Sequence, residues 1–293
     1  MKVAKKADER GLGRRGRITS HLTFVVPVAV LTLLVLVAIF APLLAPHPPT
    51  KTSMPNRLLP PCFMEGGKAA YLLGTDLVGR DILSRVIYGA RISLSVSLLV
   101  ILITASVGTI LGIIAGYLGG HADTVLMRTT DASLAIPAIL IALLLAVTLG
   151  PSFKTVVLAL SILGWAPYAR LIRGEALRLR EADFVAQARI IGSSPLRIMV
   201  VHIFPNVINP LIIISTMSVG LVILAEAALS YLGAGIPPTT PSWGSMVSDG
   251  RNLIDRAWWI SFFPGLAIGL VVMSGNFLGD WIRDKLDPRL RRL

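Results

Sequence analysis

The chain has 293 residues, of which 54% are hydrophobic and only 15% charged, and its mean hydropathy is +0.74. Water-soluble domains carry about 25% charged residues, so this composition excludes an ordinary soluble globule and makes lipid the expected solvent. The net charge of +12 would suit a nucleic-acid partner, but the basic residues sit in three short clusters at the ends of apolar runs, which is a topological pattern rather than a binding face.

A membrane-crossing helix needs about 20 apolar residues, because each backbone N–H and C=O must find its partner within the segment. Six stretches meet this demand, at 22–45, 92–117, 132–149, 155–172, 207–229 and 258–282. The expected fold is therefore all-α and membrane-embedded, with about six transmembrane helices.

Residues 1–20 form a basic tail carrying Lys2, Lys5, Lys6, Arg10, Arg14, Arg15 and Arg17, and residues 21–45 the first span. That apolar run is longer than the roughly 7 to 15 residues of a signal-peptide core, so it reads as a retained anchor. Residues 46–91 are expected outside the membrane. The first part is proline-rich (Pro46, Pro48, Pro49, Pro55, Pro60, Pro61) and expected to be extended or looping. Cys62, the single cysteine, excludes an internal disulfide and a thiol-based metal cluster. From Asp81 the apolar residues Ile82, Leu83, Val86 and Ile87 recur at helical spacing, which predicts an amphipathic helix lying in the outer interface. Asp76 and Asp81 are read as helix caps or as partners of Arg80 and Arg85 rather than as an acid/base pair.

Residues 92–283 form the expected transmembrane core. Arg128 and Asp131 open its third run, where i, i+3 spacing predicts a mutual ion pair; Pro137 and Pro167 allow kinks in the third and fourth. Residues 173–205 are too long for an idle connection. Within them Asp183 is the expected N-cap, Phe184, Val185, Ala188 and Ile191 share a helical face, and Gly192 stops the helix ahead of Ser193, Ser194 and Pro195. Such an apolar face held outside the membrane predicts a soluble partner.

Ionisable residues at membrane depth mark structural pairs or pathways. Glu226 lies near the outer end of the fifth run, where a hydrogen-bonding or inter-subunit role is favoured over substrate contact. Asp280 lies near the inner end of the sixth, within reach of Arg283. Residues 284–293 form a second basic tail with Lys285, Arg289, Arg291 and Arg292. An even number of spans puts both tails and the 173–205 loop on one face, cytoplasmic by the positive-inside rule.

Further stretches carry a resemblance. Ala186-Gln187-Ala188, then Gly192 and Pro205, resemble the Glu-Ala-Ala loop of ABC importer permeases; the sequence keeps Ala188, Gly192 and Pro205 but has Ala186 for Glu, Gln187 for Ala, His202 for Ile and Phe204 for Leu. The flanking Leu179-Arg-Glu-Ala-Asp-Phe-Val and Ala188-Arg189 are similar to the version in C-type dipeptide, oligopeptide and nickel permeases. So are Leu73-Gly-Thr-Asp-Leu-Val-Gly-Arg-Asp with Gly89-Ala-Arg-Ile-Ser-Leu, Ala225-Glu-Ala-Ala-Leu-Ser-Tyr-Leu-Gly-Ala-Gly with Pro241-Ser-Trp-Gly, and Gly279-Asp-Trp-Ile-Arg-Asp-Lys-Leu-Asp-Pro-Arg.

The resemblance implies a type I ABC importer transmembrane domain with an extra N-terminal span, in a bacterial cytoplasmic membrane. It implies one half of a path for di- or oligopeptides, with nickel or another small solute as the alternative. Its partners would be a second related permease subunit, two cytoplasmic ABC ATPase subunits or domains and an external solute-binding protein. Asp183, Phe184, Val185, Ala188, Arg189, Gly192 and Pro205 would couple the ATPase to the spans. No cofactor or metal is expected, and no catalysis. The sequence contains no G-x-x-x-x-G-K-[ST] motif. A secondary transporter would place coupling carboxylates at mid-membrane in two repeated halves, and neither is visible.

Overall fold

The computed structural model describes residues 24–286. The basic residues of the first tail, together with Arg289, Arg291 and Arg292 of the last, lie outside the described residues. Among the described residues the regular structure is helical, and the one β contact is an isolated bridge between Thr75 and Asp81.

The first helix, α1, runs Phe24–Ile39, is interrupted at Phe40 and regains one turn at Ala41–Leu44. Helix α2, Ile82–Leu118, is the first wall of the core. The expected interfacial helix does not exist as a separate element, because residues 82–91 are the first turns of α2. Nothing between Ile82 and Leu118 breaks the helix. Its first turns are covered: Ile82, Ser84 and Arg85 are buried, so they stand in the bundle instead of lying flat on lipid.

The third run is broken. Helix α3, Gly120–Ala135, and helix α4, Ala138–Leu149, meet at a bend of 78°. Pro137 sits at that bend as the N-cap of α4, and the residue before a proline is pushed out of the helical region. The fourth run is α5, Phe153–Gly164, followed by α6, Ala166–Arg180, with Pro167 tolerated in the first turn of α6. A short helix α7, Asp183–Ile190, follows. Then Pro195–Arg197 and a π-helical turn, Ile198–Ile203, lead into α8, Phe204–Tyr231. Helix α9, Trp243–Gly250, precedes α10, Trp259–Leu286.

The helices α2 and α6 pack along a stripe of small residues. A Cβ added to Gly108, Gly112 or Gly116 would come within 2.5 Å of Tyr168 Cβ, 2.7 Å of Ala169 O or 2.6 Å of Ala176 Cβ. In lipid, where water gives helices no hydrophobic drive to associate, this close approach supplies the dispersion contact that holds them.

Aromatic residues mark the two membrane levels on α10. Trp258, just before it, packs on Phe262 and Phe263 at centroid distances of 5.2 and 5.9 Å. At the other end Trp281 stacks on Phe24 at 4.0 Å with Lys285 over its ring. The interval is about 34 Å at 1.5 Å per residue, close to a bilayer core of about 30 Å. The stack also shows that α1 starts where α10 ends.

Candidate functional site

At the end of the bundle where α2 stops, α7 is bolted to the chain's own spans on one side and open on the other. Val185 and Ala188 are buried against Ile172, Ala176 and Leu179 of α6, Ile203 at the foot of the fifth span, and Tyr117 of α2. The Arg189 guanidinium lies 5.4 Å from the Tyr117 ring centroid and donates to Arg180 O at 3.3 Å. On the opposite side Phe184 is 39% exposed, Ile190 86% and Ile191 82%. The face expected to seat in a partner is thus divided: Val185 and Ala188 are spent on the intramolecular core, while Phe184 and Ile191 are not. Phe184 and Ile191 border a cleft of about 660 Å³ with Gln187, Gly192, Arg197 and His202.

Both ends of α7 have a chemical explanation. The N-cap is Ala182, with no side-chain cap; Asp183 is instead the first helical residue, where its charge still meets the positive end of the helix dipole. At the C-terminus Gly192 has φ +85°. Its N–H donates to Arg189 O at 3.0 Å, and the Ser193 N–H donates to Ala188 O at 3.0 Å. This is a full Schellman turn. Pro205 occupies the first turn of α8, directly after the π-helical turn, in which the Phe204 N–H reaches back five residues to Met199 O. Proline is accepted there because the widened turn has already displaced the ordinary bonding register.

The ion pairs of α3 differ from the expectation. Asp131 binds Arg170 of α6 rather than Arg128, and Asp123 takes Arg173 in a two-pronged pair at 2.5 and 2.6 Å. Helix-to-helix partners of fixed geometry displace an i, i+3 pair that only solvent would shape. Asp280 is exposed on α10, and among the described residues no ion pair joins it to Arg283.

At the opposite end, where α2 begins, the predicted runs have no counterpart for α9. Its cap, Ser242, forms a capping box with Ser245. The same Ser242 Oγ donates to Glu226 Oε1 at 3.0 Å, as Ser230 Oγ does at 2.9 Å, so Glu226, 1% exposed, serves as a buried hydrogen-bond anchor. Trp243 is fully buried; its backbone N–H donates to Ser93 Oγ at 3.2 Å and its indole N–H to Val86 O at 2.9 Å. A run of eight residues with no long apolar stretch gives no sign that it dips into the bundle.

Asp76 and Asp81 have the roles their spacing predicted. Asp81 caps α2, accepting from Ser84 N at 2.9 Å, and Asp76 pairs with Arg80 and Arg85. Both arginines also reach Asp249 of α9 at 3.4 Å. Burial pushes the Asp249 carboxyl above its ordinary range, against the opposing pull of Arg85 and Arg80.

The comparisons with known proteins agree with this architecture. Residues 108–292 match the family described as binding-protein-dependent transport system inner membrane component, and residues 16–61 match the N-terminal TM domain of oligopeptide transport permease C. The di/tripeptide transport system permease protein DppC of Pseudomonas aeruginosa is 42% identical over 88% of this chain and 86% of its own. The dipeptide permease DppC of Escherichia coli K12 is 44% identical over 92% and 89%. A chain from the inward-facing MetNI methionine ABC transporter superposes with a TM-score of 0.57 at 16% identity, covering 70% of this chain and 98% of that one, which establishes a shared fold. With a family match over more than half its length and relatives above 40% identity, this chain belongs to the inner-membrane components of binding-protein-dependent transport systems.

Proposed function

We propose that this chain is one of two related permease subunits enclosing the path of a peptide ABC importer. Separate ATPase subunits at the α7 face would drive it, and a solute-binding protein at the opposite face would supply it. The peptide assignment is supported by relatives that are named as di- and tripeptide permeases. Both termini would be cytoplasmic, in keeping with the three basic clusters.

The observation that carries the mechanism is the two-sided construction of α7. One side of it is fastened to α2, α6 and the start of α8, while Phe184 and Ile191 remain outward beside a cleft, with Ile190 exposed next to them. A helix seated in an ATPase groove by those residues would carry the ATPase's movement into three spans as a rigid lever. ATP binding would then shift the population between inward-open and outward-open states by its differential affinity for them.

Reconstitution tests the reading. The chain alone should neither hydrolyse ATP nor move peptide. With the second permease, the ATPases and the binding protein, it should import labelled di- and tripeptides in an ATP-dependent manner. Peptide uptake by the pure chain, or a complete complex that ignores peptides, would overturn it.

A further inference from the structure

Six arginines lie between residues 170 and 205, and five of them find their acceptors within the chain. Arg170 pairs with Asp131, Arg173 with Asp123, Arg178 with Glu175 and Arg180 with Glu181. Arg189 donates to Arg180 O and lies over the Tyr117 ring. Arg197 is the exception. Its backbone N–H donates to the capping Ser194 Oγ at 3.3 Å, but its side chain is exposed, and among the described residues no carboxylate lies within the 4.0 Å of an ion pair with it. This unpaired guanidinium lines the cleft beside α7, together with Phe184, Ile191 and His202.

The cleft stands clear of the lipid. Met217 of α8 packs on Gly279, close to the membrane level that Trp281 marks on α10: a Cβ on Gly279 would come within 2.6 Å of Met217 Cγ. From Met217 back to Phe204 the helix runs about 20 Å further, and the helical stretch continues past Phe204 to Pro195. Even a tilt of about 40°, the upper end of the usual range, leaves about 15 Å of that along the membrane normal, whereas the headgroup layer is about 5 to 8 Å thick. What faces Arg197 is therefore water or a soluble partner. Water suffices only while the cleft is open. Phe184 and Ile191 are left bare beside it, and a partner that covers them strips the water from Arg197 as well. A guanidinium that loses its hydration needs an acceptor in exchange, and a carboxylate matches its planar fork.

We propose that Arg197 is the electrostatic anchor of the ATPase on this subunit, taking a carboxylate of the ATPase surface while Phe184 and Ile191 take its apolar part. This rests on the reading of α7 as the ATPase seat and adds a charge requirement to it. An ATPase without a carboxylate opposite Arg197 would leave a cation unpaired at a covered site, which disfavours the wrong partner. The arginine thus contributes to the choice of ATPase as well as to its hold.

Binding of the cognate ATPase to the assembled permease pair in nanodiscs, measured across a salt series, tests this. Arg197→Glu should weaken binding about tenfold or more, and Arg197→Gln less. Arg197→Lys should fall between Arg197→Gln and wild type, since a point charge keeps the attraction without the fork. The salt series separates an ion pair from a packing role: wild-type affinity should fall as ionic strength rises, and that of Arg197→Gln should fall less steeply. If Arg197→Glu folds poorly, as read by the melting temperature of the lone permease, the salt slopes of the Gln and Lys variants decide the matter. Equal affinity in wild type and Arg197→Glu, or the same salt slope in wild type and Arg197→Gln, would overturn the proposal. Phe184→Ala distinguishes that failure from a failure of the α7 reading. Binding weakened by Phe184→Ala but not by Arg197→Glu leaves α7 as the seat and removes Arg197 from it, whereas indifference to both variants removes α7 as well.

Discussion

Arg85 and Asp249, 164 residues apart in the chain, meet at 3.4 Å between Nη2 and Oδ2. Arg85 is 1% exposed and has Asp76 on its other side, also at 3.4 Å. The pair fastens α9 to the first turns of α2. Taking one partner from a buried ion pair typically costs about 3 to 5 kcal/mol, because it strands the other charge. Arg85→Met should therefore lower the thermal stability of the detergent-purified chain markedly, as read by tryptophan fluorescence. A melting temperature within error of wild type would show that the network contributes nothing.

Asp249 should behave differently. Its carboxyl is raised chiefly by burial, with Arg85 and Arg80 pulling the other way and Asp76 adding to the rise. A carboxyl whose folded pKa lies above its unfolded value holds its proton better when folded, so its stabilising share is full below the unfolded pKa and is lost as pH rises through the folded one. Asp249→Asn removes that loss while keeping an acceptor oxygen for the arginines. It should cost less than Arg85→Met, and it should gain on wild type as pH rises from the carboxylate range toward neutrality. Wild type gaining on Asp249→Asn over that interval would refute the burial-dominated account.

What was legible in the sequence was local. Apolar runs marked the spans, Asp81 offered a cap or an arginine partner next to its own helix, and Gly192 marked the stop, because each signal lies within one or two turns. The pairs Asp123 with Arg173 and Arg85 with Asp249 join residues 50 and 164 apart, where no periodicity exists to betray them. The same limit explains α7. A helical wheel groups Phe184, Val185, Ala188 and Ile191, but only packing decides that Val185 is covered by the chain's own α6 while Ile191 is left bare.

The orientation of the chain can be read from one atom. Cys62 is the single cysteine and is exposed in the segment between α1 and α2. If that segment is external, a membrane-impermeant maleimide should label it in intact spheroplasts as fully as after permeabilisation. Labelling that requires permeabilisation would invert the topology.

Gly192 offers a graded test of the α7 turn. A side chain there would meet nothing within 4 Å, so any effect must come from the backbone, which sits at φ +85°. An L-residue held in that region pays roughly 1 to 2 kcal/mol, with asparagine the least penalised and β-branched residues the most. Gly192→Val should therefore impair peptide uptake by the assembled transporter far more than Gly192→Asn, with both proteins inserted in the membrane at normal levels. Equal uptake by the two variants would mean that the turn has no part in coupling.

The division of α7 into a covered and an open side yields the sharpest contrast. Phe184 lies at the cleft and is partly exposed, whereas Val185, its neighbour in sequence, is fully buried in the cluster with Ile172 and Ile203. Truncating an aromatic anchor at an interface typically costs about 2 kcal/mol or more of binding, so Phe184→Ala should weaken co-purification of the ATPase while leaving the melting temperature of the lone permease unchanged. Val185→Ala should do the reverse: it opens a cavity costing about 2 kcal/mol in the permease itself and leaves the contact surface in place. Ala186 is exposed, and Ala186→Glu, which brings in the glutamate of the loop that this segment resembles, should be tolerated in both assays. If Phe184→Ala destabilises the lone chain and spares ATPase association, the outward residues of α7 are packing residues, and the lever must be sought elsewhere on the inner face.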